Sequence, residues 1–344
     1  MDPPASGLLG VAILGVTASG KSAAAHRVAR AWPGGRVEVL SVDSMAVYRG
    51  MDVGTAKPTA AERREVRYHL VDLVDPHETF TVVDFQRAAE AALSTVAERG
   101  SLPLFVGGTA LYLRAVVDRL RFPGRFPDVA DALTASLEAA GLPGTPERAE
   151  RRAQLHARLV RLDPAGASRV NPANERRLVR ALEVCLGAGR PFSESGPGLD
   201  EHPPVPYVLV GIHYDAERAG RQIAARFDRQ LAEGFLEEVA VLAAAPGGLS
   251  PTAGQALGYR ELLSYLRGEA SLDEARDLAV RRTVAFARRQ WAWFRRDPRI
   301  VWVEDADAAA AAARDALARM ANGQEASRRA LAARDTATQA SVPD

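Results

Sequence analysis

Hydrophobic and polar positions along this chain switch between two spacings. Leu9–Leu14 form a short apolar run, followed by a glycine-rich turn and a stretch of helical spacing that starts near Gly20 or Lys21. That order predicts a buried strand, a loop and a helix. The pattern then recurs. RVEVLSVD predicts a second buried strand, and SMAVYRGMDVGTAKPT a polar loop. Apolar residues at 85, 88, 89, 92, 93 and 96 predict a helix over 83–99, LPLFVGG a third strand, and 109–119 a further helix. Strands alternating with helices imply an α/β fold, a P-loop NTPase-like parallel sheet with helices on both faces.

The spacing changes at RLRFPGRFPDVADA, where prolines, glycine and arginines mark a boundary. From there to about Gly189 the pattern is helical and rich in arginine, and SESGPGLDEHPPVP has the composition of a linker. YVLVGIHY is again a buried strand, so the sheet resumes after an all-helical insertion. The expected organisation is a core of 1–122 and 205–304 interrupted by an insertion at 123–204. Helices are predicted over 216–233, 235–245, 259–267 and 272–296, then a short strand at VWVE and a C-terminal helix at 305–321. The remainder, 322–344, is poor in hydrophobic residues and is expected to be disordered.

Composition narrows the class. A chain of 344 residues with 47% hydrophobic content can bury a large core. Its longest apolar runs, Leu9–Leu14 and Val205–Ile212, fall far short of the roughly 20 residues of a membrane-spanning helix. The opening MDPPASGLLG lacks the basic segment of a secretory signal. The single cysteine, Cys185, excludes a disulfide framework and reads as a small buried hydrophobe, so a cytoplasmic monomer is expected. Net charge is only +1, yet nine arginines fall between Glu147 and Glu183 and seven between Arg281 and Arg299. Only two of the 44 basic residues are lysines, Lys21 and Lys57, which suggests positions that need a compact ammonium charge.

The strongest local motif is Gly15, Val16, Thr17, Ala18, Ser19, Gly20, Lys21 and Ser22, a G-x-x-x-x-G-K-S loop between strand and helix. Its amides and the helix N-terminus converge on phosphate, Lys21 neutralises it, and Ser22 can hold Mg²⁺. The motif does not separate ATP from another diphosphate. Asp43, ending the second strand, is a Walker-B-type acid or a base facing an acceptor at the sheet's C-terminal edge. Gly107, Gly108 and Thr109 follow the third strand, where Thr109 can cap the helix or donate to a diphosphate. On these residues alone a small-molecule kinase using ATP and a non-catalytic RNA-binding protein both stay open.

GVTASGKS, SVDSMAVYRGMDVGTAKP, HLVDLVDP, PLFVGGTALYL, RRLVRALEV and QALGYRE occur in the order of the signature segments of tRNA dimethylallyltransferases, and the chain resembles that family over about residues 8–300. The resemblance implies transfer of a dimethylallyl group from dimethylallyl diphosphate to N6 of the adenine immediately 3′ of the tRNA anticodon, with the P-loop holding the prenyl donor. It implies Asp43 as general base, and Thr17, Ser19, Lys21, Ser22, Thr109 and Arg226 as the diphosphate clamp with Mg²⁺. It also implies tRNA contacts at Asp43, Ser44, Met45, Ala46, Arg176, Arg177, Arg180, Gln255, Gly258 and Tyr259. Trp291, Trp293 and Phe294 are expected as core anchors. Three positions depart from the family pattern. Val16 replaces a proline and should be neutral because that site contributes backbone. Ala46 replaces a glutamine expected near the anticodon loop. Val284 replaces an arginine, which bears on tRNA grip or helix packing.

Overall fold

The computed structural model describes residues 8–195 and 201–339. The opening residues 1–7, part of the expected linker at 196–200 and the last residues 340–344 lie outside them. Six strands, β1 (Gly10–Leu14), β2 (Val37–Val42), β3 (Tyr68–His69), β4 (Leu102–Gly107), β5 (Tyr207–Ile212) and β6 (Ile300–Val303), form one sheet in the order β3-β2-β4-β1-β5-β6. Every pairing is parallel. The predicted α/β architecture is therefore present. β3 has only two residues, too few for any periodicity to reveal it.

One unit is built from the chain up to Arg119 and from His202 onward, and the second is Leu120–Glu201. The first unit carries the sheet with helices α1 (Lys21–Ala31), α2 (Ala60–Glu65), α3 (Val82–Glu98) and α4 (Ala110–Val117). The second contains α5 (Pro127–Glu138), α6 (Pro146–Leu162), α7 (Pro164–Arg169) and α8 (Glu175–Ala188). The first unit resumes with α9 (Ala216–Ala232), α10 (Phe235–Ala244), α11 (Tyr259–Leu266), α12 (Leu272–Phe294) and α13 (Ala306–Gln339).

Strand alternation sorts the core. Ala12 and Leu14 of β1 join Leu40, Val42, Phe105 and Leu209 in the cluster that also holds Phe85 of α3, Leu113 of α4 and Phe294 of α12. Val11 and Ile13 point to the opposite face, with Val39, Leu104 and Val210, where Ala24, Ala25 and Val28 of α1 and Ala309, Ala313 and Leu317 of α13 cover them. Period-two alternation against helical stripes thus produces helices on both faces. The helical unit has its own core of Leu133, Leu137, Leu155, Leu159, Leu178 and Leu182, which includes Cys185.

One element goes beyond the predicted ones and one expectation changes. Directly after the expected loop stands α2, for which the periodicity predicted no element, opened by a capping box in which Thr59 and Glu62 bond reciprocally; the T-x-x-E signal stands at Thr59–Glu62. The last helix does not end near residue 321: α13 continues to Gln339 through the stretch expected to be disordered. Alanine, arginine and glutamine dominate that stretch, and their high helix propensity sustains the backbone where hydrophobicity gives no cue.

Candidate functional site

The C-terminal ends of the strands carry the predicted chemistry. Between β1 and α1 the chain curls through Ala18 at φ 61° and Gly20 at φ +83°, the left-handed turn that a P-loop requires. Lys21 arches back so that its ammonium donates to the Val16 carbonyl at 3.0 Å. Burial pulls its pKa down to about 8; the Asp43 carboxylate opposes that shift and the Arg226 guanidinium adds to it. Burial also lowers Arg226, again with Asp43 working against it. These mutual influences bring Lys21, Asp43 and Arg226, far apart along the chain, into one electrostatic neighbourhood. Arg226 Nη1 donates to Thr17 Oγ1 at 3.4 Å.

Asp43 and Thr109 meet across the sheet edge. Asp43 Oδ1 accepts the Met45 amide at 2.8 Å, which turns the chain sharply after β2. Thr109 Oγ1 accepts the Ser44 amide at 3.2 Å. Its hydroxyl proton is therefore free to point elsewhere. Thr109 precedes α4 but makes no side-chain cap. A Cβ on Gly107 would lie 2.0 Å from the Val42 carbonyl oxygen, and one on Gly108 would lie 2.3 Å from Gln290 Nε2. Both glycines thus serve close approach, to β2 and to α12.

The loop after Asp43 is held from a distance. Glu238 of α10 accepts the Asp52, Val53 and Gly54 amides at 2.8, 2.7 and 3.1 Å, and the Tyr259 hydroxyl at 2.5 Å. Gln230 donates to the Val53 and Gly54 carbonyls at 2.5 and 3.0 Å. Lys57 spends its three donors on the Tyr48 carbonyl, Asp52 and Asp72, at 2.5, 2.8 and 2.5 Å. Neither Glu238 nor Gln230 stands out in sequence, because their partners are backbone groups far along the chain.

Several predicted contacts take a different form. Tyr259 is fully buried, so its ring offers nothing to an RNA and instead locks Glu238. Gly258 is buried beside it at φ +88°, and Gln255 alone of that turn is exposed. Ala46 is buried; its carbonyl accepts the Asp72 amide at 3.1 Å, so any recognition there would not use its methyl group. Ser44 and Met45 are partly exposed. In the helical unit Arg176 and Arg177 are exposed, whereas Arg180 donates to the Pro123 carbonyl at 2.7 Å and pairs with Glu183. Arg148 forks onto Glu175 at 3.1 and 2.8 Å. In the second basic stretch Arg282 pairs with Glu261, and Arg299 with Asp118 and Asp297. Part of each arginine run is thus committed to internal structure.

Val16 and Val284 belong to one small apolar cluster with Ile223, Ala287 and the rim of Trp291. Val16 is only 3% exposed, so its side chain packs into this cluster while its carbonyl accepts from Lys21. Val284 packs, partly buried, against the same cluster. Of the three expected core anchors Phe294 is buried, Trp291 is partly buried and stacks edge-on against Trp302 at 4.7 Å, and Trp293 is only partly buried. A cavity of about 430 Å³ opens on the β5–β6 side of the P-loop, lined by Val16, Ser19, Tyr214, Arg218, Trp302 and Glu304 among others. It shares only Val16 and Ser19 with the predicted residues. The Ser19 hydroxyl is buried without a protein partner, as expected of a group waiting for a ligand oxygen.

A parallel sheet whose first strand ends in this cradle, with a carboxylate at the end of the second strand, defines a P-loop α/β protein. Residues 46–297 match the family described as IPP transferase. The chain belongs to that family. It is 46% identical to a tRNA dimethylallyltransferase of Kineococcus radiotolerans, over 86% of this chain and 91% of that one. It is 44% identical to one of Nocardioides, over 85% and 90%. Among solved structures it is similar to the tRNA isopentenylpyrophosphate transferase of Bacillus halodurans, with 33% identity, a TM-score of 0.62, and 92% and 98% of the two chains covered.

Proposed function

We propose that this protein transfers the dimethylallyl group of dimethylallyl diphosphate to N6 of the adenine immediately 3′ of the anticodon in tRNA, releasing diphosphate. The observation that carries the reading is the junction of two half-sites at one sheet edge. A phosphate cradle with Lys21 and Arg226 lies in the electrostatic reach of Asp43, and Thr109 is hydrogen bonded into the Asp43 turn. Family membership supplies the donor and acceptor classes.

In this reading N6 attacks C1 of the prenyl group as the C1–O bond breaks, and the diphosphate departs with the electron pair. The N6 proton passes to Asp43. An adenine amine is a very weak acid, so Asp43 acts as N6 gains positive charge. Lys21, Arg226, Thr17, Ser19 and Thr109 meet the negative charge growing on the leaving oxygens. Mg²⁺ fits this donor set. The Ser22 hydroxyl and the substrate's phosphates are the hard oxygens it prefers, and among the described residues no cluster of three or more His, Cys, Asp or Glu side chains forms a protein cage. When bound, the ion would neutralise diphosphate charge.

The helical unit, with exposed Arg176 and Arg177, is assigned to the anticodon stem-loop. The target adenine must leave its stack to reach Asp43. No helix among the described residues is long and apolar enough to cross a membrane. A monomer in the reducing cytoplasm completes the proposal, in keeping with one buried cysteine.

Incubating the purified protein with dimethylallyl diphosphate, Mg²⁺ and unmodified tRNA, followed by mass spectrometry of the nucleosides, tests it. The expected product is N6-dimethylallyladenosine. Unmodified tRNA, or label moving from the γ-phosphate of ATP into an acceptor, would overturn it.

A further inference from the structure

Gln290 lies on the buried side of α12, with Ala287 one turn before it and Phe294 one turn after, and is 7% exposed. A glutamine in such an apolar stripe is costly unless its amide is fully paired. It is paired with neither its own helix nor another side chain. Its Oε1 accepts the Thr17 amide at 2.8 Å, and its Nε2 donates to the Gly108 carbonyl at 2.9 Å. One planar group therefore spans the P-loop and the turn after β4. Gly108 makes this possible, since any Cβ there would meet Gln290 Nε2 at 2.3 Å.

What lies beyond each bond gives the bridge its meaning. Thr17, with its amide drawn toward α12, presents Oγ1 to Arg226. Gly108 leads into Thr109, whose Oγ1 holds Ser44 beside Asp43. The connected path runs Arg226, Thr17, Gln290, Gly108, Thr109, Ser44. It links the diphosphate clamp to the acceptor side through a single side chain 273 residues from the P-loop amide it holds.

We infer that Gln290 is a positioning residue that sets the separation between the diphosphate cradle and the Thr109–Asp43 edge, so that donor and acceptor meet at reacting distance. It touches no reacting atom. The inference rests on the proposed prenyl transfer for its rate consequence, but its effect on the cradle is readable without catalysis. Misplacement of groups that must align in the transition state lowers rate steeply even when each group is still present.

Two variants test it. Gln290→Met keeps the volume and removes both hydrogen bonds. Gln290→Glu can remake both only as the protonated acid, with its hydroxyl donating to Gly108 and its carbonyl accepting from Thr17. The measurements are inorganic diphosphate binding by calorimetry, kcat, the KM values for donor and tRNA, and thermal unfolding. For Gln290→Met the expected result is diphosphate affinity and kcat each reduced about tenfold, with the KM for tRNA close to that of wild type. For Gln290→Glu the kcat/KM for donor, relative to wild type, should recover as pH is lowered from about 8 to about 6. A merely structural glutamine would change only the unfolding temperature. Wild-type diphosphate affinity and kcat in folded Gln290→Met would overturn the inference. If that variant does not fold, a pH-independent ratio for Gln290→Glu would do so. A wild-type protein that binds diphosphate but transfers no prenyl group would refute the function, while the calorimetric arm would still decide the role of Gln290 in the cradle.

Discussion

The two lysines of this chain mark two loops built on opposite principles. The P-loop around Lys21 takes its shape mostly from itself: a left-handed Gly20, an ammonium folded onto the Val16 carbonyl, and a helix starting at the next residue. The loop around Lys57 takes its shape from elsewhere. Glu238 and Gln230, from helices far along the chain, fasten its amides and carbonyls, Tyr259 holds Glu238 from a third helix, and Lys57 closes the loop onto Asp52 and Asp72. Both lysines meet the need for a compact ammonium, but for unlike ends. Lys21 is partly buried, with its pKa depressed by burial and by the Arg226 cation against the pull of the Asp43 carboxylate. The Lys57 side chain is 1% exposed and already has two carboxylates and a carbonyl for its three protons.

The largest effect belongs to the strand-end carboxylate in the electrostatic reach of Lys21. Asp43→Ala should lower kcat for tRNA prenylation by about a thousandfold while calorimetric binding of dimethylallyl diphosphate persists; loss of binding instead would place Asp43 on the donor side. Next, the two lysines should separate cleanly. Lys21→Ala is expected to cut kcat by about a hundredfold and weaken diphosphate binding, with little change in denaturant stability. Lys57→Met should leave donor binding intact but lower unfolding free energy by about 2–3 kcal/mol, because Asp52, Asp72 and the Tyr48 carbonyl lose their common donor. Interchanged outcomes would break the comparison.

The depressed Lys21 also makes donor capture sensitive to pH. Below about 8 the free enzyme holds the ammonium, and above it the neutral amine. The kcat/KM for donor should therefore decline as pH rises through about 8, and that break should vanish in Lys21→Ala. The smallest effect concerns the exposed helical unit. Arg176→Gln with Arg177→Gln should raise the KM for tRNA several-fold and flatten its salt dependence by about one unit of log–log slope for each phosphate no longer neutralised, with the donor KM unchanged. An unchanged salt slope would remove these arginines from the RNA interface.

Much of the frame is legible along the chain. β1, β2, β4 and β5 are short apolar runs bounded by turn residues, and the amphipathic helices between them announce a parallel sheet. The helical unit shows itself by the loss of strand spacing, and its observed extent of Leu120–Glu201 lies close to the expected 123–204. α2 is signalled by Thr59 and Glu62 yet masked by polar neighbours, and β3 is too short to carry a pattern. Among the site residues, Lys21, Asp43 and Thr109 follow from their places at strand ends. Arg226 does not. On its helix it has the spacing of a solvated arginine, and only the family resemblance singles it out.

Periodicity and turn chemistry are local, and they suffice to specify strands, helices and the curl of the P-loop, since each depends on residues within a few positions of one another. They cannot show that Tyr259 faces Glu238 instead of solvent, that Val16 and Val284 share one apolar cluster, or that Gln290 bridges Thr17 and Gly108. Those assignments depend on which helices pack against which strand ends. The packing was decided by the two faces of the sheet closing together, and it tied a common phosphate motif to the turns after β2 and β4.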